Sequence, residues 1–190
     1  MMSSNLAQKA WVGDLDEYIH HIPFPYPWAV GNQNPVVFFQ ESIEALGKTG
    51  IDPSTDICGI MLETFQGWGA IFYPKDYVRE VEKFCNANDI LLCFDEMQSG
   101  FGRTGKKFGF EHYDVAPDLI ACGKGMGGGV PLSGVIGTKE IMDLPEIGNM
   151  SSTHSGNPLV CSAGLAVLEE LERILPEMDE LQEVFSKKLK

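Results

Sequence analysis

The chain has 190 residues, 44% of them hydrophobic and 22% charged, enough for one domain with an apolar core. Lys and Arg number 14 against 27 Asp and Glu, so the formal net charge is −13. That balance excludes the basic face needed by nucleic acid or by an anionic membrane surface, and it reads as solubility.

In chain order, residues 1–35 predict irregular structure. Three prolines in residues 20–28, His-His-Ile-Pro-Phe-Pro-Tyr-Pro-Trp, forbid a helix there. A short helix is expected over residues 39–46. The apolar run 57–62 suits a buried parallel strand. Residues 75–88 follow Pro74 and carry Tyr77, Val78, Val81, Phe84 and Cys85 at helical spacing. Further strands are expected at 90–94, 119–122 and 134–137. Asn157-Pro158 opens a long helix with Leu159, Val160, Ala163, Ala166, Val167, Leu171 and Ile174 on its core face. A separate last helix is expected after Pro176, with Leu181, Val184, Phe185 and Leu189 on one face. Strands alternating with helices give an α/β class, a mostly parallel sheet flanked by helices.

The cysteines are Cys58, Cys85, Cys93, Cys122 and Cys161, with no Cys-x-x-Cys pair. Most lie in apolar runs and read as small buried hydrophobes in a reducing compartment. No apolar stretch is long enough to span a bilayer, and no signal peptide is apparent, so a cytoplasmic location is expected.

The ends of buried strands are where α/β sheets present chemistry. Asp95-Glu96 follows the run Leu91-Leu92-Cys93-Phe94, Glu63 follows the run 57–62, and Gly123-Lys124-Gly125 follows Leu119–Cys122. Glycines on both sides of Lys124 let a bulky group approach and let the lysine turn inward, where an uncharged amine attacks carbonyls. A phosphate-binding or solvated loop lysine is the competing reading. A carboxylate at the end of a buried strand wants a cation, either a metal ion or a protonated pyridine nitrogen. The acidic strand also looks like that of P-loop nucleotide hydrolases, but no Gly-x-x-x-x-Gly-Lys-Ser/Thr accompanies it. His112 and His154 lack metal-ligand spacing, and Arg103 and Thr104 lie in a glycine-rich turn, so all four read as loop residues and no metal site is expected.

The stretch Leu92-Cys93-Phe94-Asp95-Glu96-Met97-Gln98-Ser99-Gly100-Phe101-Gly102-Arg103-Thr104-Gly105 resembles the signature of class III aminotransferases. The likeness continues through residues 108–113, 116–118, 123–129 and 152–159, in the family's order and spacing, over roughly residues 57–175. It implies the large cofactor-binding domain of a fold type I enzyme that uses pyridoxal 5'-phosphate. By that resemblance Lys124 is the lysine that bonds to the cofactor aldehyde as an imine and then shuttles the substrate proton. Asp95 pairs with the pyridine nitrogen, Gln98 lies beside the ring hydroxyl, and Glu63 stands near the ring. Thr153 reaches the cofactor phosphate of a neighbouring subunit, so a homodimer is implied. The partners would be an amino donor and a 2-oxo acid acceptor.

Alternatives within the same fold are a decarboxylase or an aminomutase, and outside it a non-catalytic remnant. In Gln66-Gly67-Trp68-Gly69, Trp68 stands where the family has an acidic residue that in relatives acting on ω-amino acids engages a substrate arginine. The family's upstream phosphate cup and stacking aromatic, and its downstream small domain, are not visible. The whole chain, 1–190, is therefore expected to be part of a large domain: a lead-in over 1–50, a core over 51–175, and a helix start over 176–190. As an internal fragment it is expected to be inactive alone.

Overall fold

The computed structural model describes residues 18–189, apart from the side chain of Asp179. The expected irregular stretch over residues 1–35 lies outside the described residues as far as residue 17. The chain divides into two compact units, Met1–Ile57 and Cys58–Lys190.

In the first unit, α1 (Pro27–Val30) is a single turn that starts on a proline, and α2 (Pro35–Gly47) is longer than the helix expected over 39–46. Both use proline in the first turn, where its missing N–H is not needed. Asn34 caps α2 by accepting the Val36 N–H at 2.8 Å, a local signal that extends the helix upstream of its apolar run. Irregular backbone was expected over 1–35, and the single turn α1 within it corrects that.

The second unit is built on a four-stranded sheet in the order β1-β4-β5-β6. Strand β1 is Gly59–Glu63, β4 is Leu91–Asp95, β5 is Leu119–Cys122 and β6 is Gly134–Gly137. The first three run parallel, and β6 joins β5 antiparallel. The central strand β4 buries Leu92 and Phe94 completely, as a near-continuous apolar run predicts for a strand covered on both faces. Strand β6 behaves differently from the buried strand expected there. Val135 and Ile136 are about half exposed, because this strand forms an edge of the described sheet.

Between β1 and β4 lie a short antiparallel hairpin, β2 (Phe65–Gln66) and β3 (Ile71–Phe72), and helix α3 (Lys75–Asn88). A parallel pair needs such a crossover. Helix α3 buries Tyr77, Val78, Val81 and Cys85, four of the five positions its spacing marked. It ends on Asp89 in the left-handed conformation, whose N–H closes on the Cys85 carbonyl. After β5 come a 3₁₀ turn at Lys124–Gly127 and, beyond β6, a short helix α4 (Lys139–Met142).

The last helix, α5, runs unbroken from Pro158 to Lys188. This corrects the expectation of a separate helix after Pro176. Proline removes one hydrogen bond to the carbonyl of residue 172, and Glu172 and Pro176 both lie on the exposed side of the helix, where that loss is cheapest. The buried face of α5 includes Gly164 and Leu171, with Val160, Ala163, Val167 and Ile174 half-buried, whereas Leu159 and Ala166 point outward. The faces Leu181, Val184 and Phe185 are also exposed. Among the cysteines, Cys85 and Cys122 are buried and Cys93 is intermediate, but Cys58 and Cys161 are exposed and do not serve as core residues. Among the described residues, no helix is long and apolar enough to cross a membrane.

Helix α3 is fastened to the loop ahead of β5 by polar contacts. Asp114 accepts from Lys75 and from Arg79, the latter at 2.9 Å, and Arg79 also reaches the Tyr113 carbonyl at 3.2 Å. The hydrogen bond and charge of Lys75, followed by the charge of Arg79, hold the Asp114 carboxyl below its ordinary 3.8. A depressed native value means that the contribution is present above the unfolded value and is lost as pH falls through the native one. Asp114→Asn should therefore lower the melting temperature near neutral pH, and the gap to the parent should close as pH falls below about 4. Thermal melts across a pH series check this.

Candidate functional site

The parallel strands deliver three carboxyl-end residues to one side of the sheet. Glu63 and Asp95 are the last register pair of β1 and β4, and Asp95 pairs with Ala121, three residues before Lys124. Strand pairing alone thus converts residues far apart in sequence into neighbours. A shallow recess of about 50 Å³ is lined by Glu63, Phe65, Asp95, Met97, Gln98, Ser99 and Lys124. Four of the five residues singled out from the sequence meet there.

The Lys124 Nζ donates to Gln98 Oε1 at 3.3 Å. Lys124 is exposed in the isolated chain and has φ +43°, a left-handed value uncommon outside glycine. It opens the 3₁₀ turn, so its side chain leaves the sheet at a sharp change of direction. Asp95 is half-buried, and its Oδ1 accepts the Met97 N–H at 2.9 Å, which leaves its other oxygen outside this bond. Its charge is felt in the neighbourhood. Burial first, and then the charge of Asp95, raise the Cys93 thiol. Burial, then Glu96 and Asp95, push Cys122 up to about 11. Glu63 Oε2 holds the Gly67 N–H at 2.9 Å and so anchors the tip of the β2–β3 hairpin. A Cβ at Gly67 would lie 3.1 Å from Gln98 Oε1, so a side chain there would press on the amide. Trp68, the next residue, is 86% exposed.

Thr153 is not in the recess. It lies exposed in the turn before α5. His112 Nε2 meets the Thr104 carbonyl at 3.0 Å, a loop contact, and His154 is exposed. Among the described residues there is no group of three or more His, Cys, Asp or Glu that could hold a metal ion. Two larger grooves, of about 440 and 420 Å³, lie along α5. Neither contains Lys124, Asp95 or Gln98, so size does not mark the chemistry here.

Sequence reasoning passed over Glu96 beyond its place in the motif. It is fully buried and takes four hydrogen bonds. Oε1 accepts from the Thr64 hydroxyl and, at 2.8 Å, from the Phe110 N–H. Oε2 accepts from the Ser99 hydroxyl at 2.6 Å and the Gly109 N–H at 2.9 Å. The period-2 alternation of a strand was the available signal, because it sends Asp95 and Glu96 to opposite faces. Gly109 has no space for a side chain, since a Cβ would meet Thr64 Cγ2 at 2.5 Å and Ser99 Cβ at 3.0 Å. Gly109→Ala should cost about 1–3 kcal/mol by overpacking. Urea unfolding of the variant beside the parent measures it.

The sequence profile described as Aminotransferase class-III matches residues 3–190. An acetylornithine aminotransferase of Caldanaerobacter subterraneus subsp. tengcongensis is 46% identical over 132 residues, 69% of this chain and 33% of that protein. A leucine/methionine racemase of Thermococcus litoralis is 40% identical over 170 residues, 86% of this chain and 38% of that protein. The crystal structure of a thermostable (S)-enantioselective omega-transaminase from Thermomicrobium roseum superposes with a TM-score of 0.71 at 31% identity, over 82% of this chain and 37% of the other. The chain thus spans between a third and two fifths of the length of these relatives. With a profile match along nearly its whole length and the α/β sheet of the solved transaminase, the chain belongs to the class III aminotransferase family.

Proposed function

We propose that this protein is a pyridoxal-phosphate-dependent transaminase, moving an amino group between an amino donor and a 2-oxo acid. The observation that carries the reading is the meeting of the Lys124 amine, the Asp95 carboxylate and the Gln98 amide in one recess. These groups fit the cofactor chemically. A primary amine suits its aldehyde, a carboxylate suits its protonated ring nitrogen, and an amide suits its ring hydroxyl. Bound pyridoxal phosphate supplies an electron-withdrawing ring that takes up the charge left when the substrate carbon loses its proton.

The chain's own residues do the rest. Lys124 anchors the aldehyde end and then carries the proton from the substrate carbon. Asp95 keeps the proton on the ring nitrogen, an electrostatic task in a half-buried site. Gln98 would orient the ring from the side, and Glu63 fixes the tip of the β2–β3 hairpin through the Gly67 N–H. Thr153, exposed ahead of α5, is the residue that a second copy would offer to the cofactor phosphate, which makes the working form a homodimer. Trp68 in place of an acid favours a donor other than an ornithine-like ω-amino acid.

A second reading is racemisation, supported by the Thermococcus litoralis relative. Both reactions remove the same proton, so a test supplies an amino acid without any 2-oxo acid. Deuterium from solvent entering both enantiomers without loss of the amino group favours the racemase.

In a full-length enzyme carrying these residues, incubation with pyridoxal phosphate, borohydride reduction and peptide mapping should place a pyridoxyl group on Lys124. A label elsewhere, or none, overturns the reading. Asp95→Asn preserves size and removes charge. In the full-length enzyme it should cost two to three powers of ten in turnover, about 3–4 kcal/mol of transition-state stabilisation, and steady-state kinetics measure it.

A further inference from the structure

We propose that Glu96 is the positioning residue for the recess: its buried carboxylate fixes the strand end that carries Asp95 and the turn that carries Gln98 in the orientation a ligand meets. The proposal rests on the pyridoxal phosphate reading above.

The argument begins with strand geometry. Asp95 ends β4 and faces the recess, and Glu96, one residue on, faces the interior. A carboxylate with no exposure is costly unless its lone pairs are filled. Here each oxygen receives two donors, one hydroxyl and one backbone N–H. No salt bridge reaches Glu96 among the described residues, so hydrogen bonds alone carry its compensation.

The positions of the donors give the network its meaning. Thr64 directly follows Glu63, Ser99 directly follows Gln98, and Glu96 itself directly follows Asp95. Three recess residues are thus each one peptide away from a member of the network. The turn is also tied by backbone: Glu96 N–H donates to Ala121 O at 2.9 Å, and Gly100 N–H donates to Glu96 O at 3.0 Å. The first of these bonds continues the β4–β5 ladder toward Lys124. The remaining donors, Gly109 and Phe110, open the 3₁₀ turn Gly109–Tyr113 beneath the sheet.

Four converging donors require a group that only accepts. Glutamine offers one accepting oxygen and would aim its NH₂ at two donors. Glu96→Gln therefore opposes its NH₂ to the backbone N–H of Gly109 or Phe110 and makes the Ser99 or Thr64 hydroxyl on that side reverse its role, which loosens the network behind Gln98 and Glu63. A residue that merely holds the fold would lower stability and leave ligand affinity alone. A positioning residue moves both.

The experiment uses the purified full-length enzyme and four substitutions, Glu96→Gln, Ser99→Ala, Thr64→Val and Thr64→Ser. Thr64→Val keeps the shape and removes one donor, and Thr64→Ser keeps the hydroxyl. Two readouts are taken besides turnover: the dissociation constant for pyridoxal phosphate by absorbance titration, and the pH midpoint of the bound cofactor's absorption band. Melting of the cofactor-free protein is measured in parallel.

Expected are a loss of about tenfold in affinity, the scale seen when partners behind ligand-holding groups are removed, and a displaced pH midpoint. Thr64→Ser should lie closer to the parent than Thr64→Val on both. If Glu96→Gln does not fold, the two donor variants decide. Variants that lose cofactor-free stability but keep parental affinity and midpoint overturn the proposal, and so do variants that match the parent throughout. A parent that binds no pyridoxal phosphate sinks the transaminase reading itself and this proposal with it, an outcome distinct from unchanged variants of a binding parent.

Discussion

The carboxylate of Glu96 has no contact with solvent, and three stretches of the chain supply its four hydrogen bonds. Withdrawing a charge from water is among the larger local costs in a protein, so the surrounding backbone must close on it correctly or not at all. That requirement explains features that look unrelated. Gly109 lacks a side chain because the Thr64 methyl group and the Ser99 β-carbon occupy the space. Tyr113 closes the far end of the same 3₁₀ turn, its hydroxyl donating to the Thr64 carbonyl at 2.5 Å and accepting the Tyr73 N–H at 3.1 Å. Its ring stacks on Phe94 of the central strand at 6.3 Å, so the polar knot and the apolar core share a wall. Burial also raises the Tyr113 phenol, which keeps it a neutral donor across the ordinary pH range.

The sheet was readable because its strands are short apolar runs ended by acids or glycines, and helix α3 because its apolar spacing is unambiguous. The failures have physical causes. The β2–β3 hairpin has two residues in each strand, too few for any periodicity to register. Pro176 reads locally as a helix breaker, yet a single lost bond on an exposed face does not outweigh helix-forming neighbours on both sides. Strand β6 carries Val135 and Ile136 like a buried strand, and composition does not say that it is an antiparallel edge.

Within the site, Lys124 and Asp95 stood out because a charged residue at or near the end of a buried strand calls for a partner. Gln98 rested on resemblance, and the 3.3 Å contact with Lys124 now gives it a geometric place. Glu63 turned out to clasp the hairpin through Gly67. Thr153 remains apart from the recess within one chain. Glu96 escaped because the doublet Asp95-Glu96 reads as one acidic spot, whereas a pleated strand separates the pair into one acid for the recess and one for the interior.

The left-handed backbone at Lys124 sets two demands against each other. At φ +43° a side chain beyond glycine is held at a conformational penalty of order 1 kcal/mol. Glycine at this position would relax the turn while deleting the amine. Stability alone favours glycine at this position, whereas the chemistry proposed for the site needs the amine. The residue is a place where durability and use pull in opposite directions.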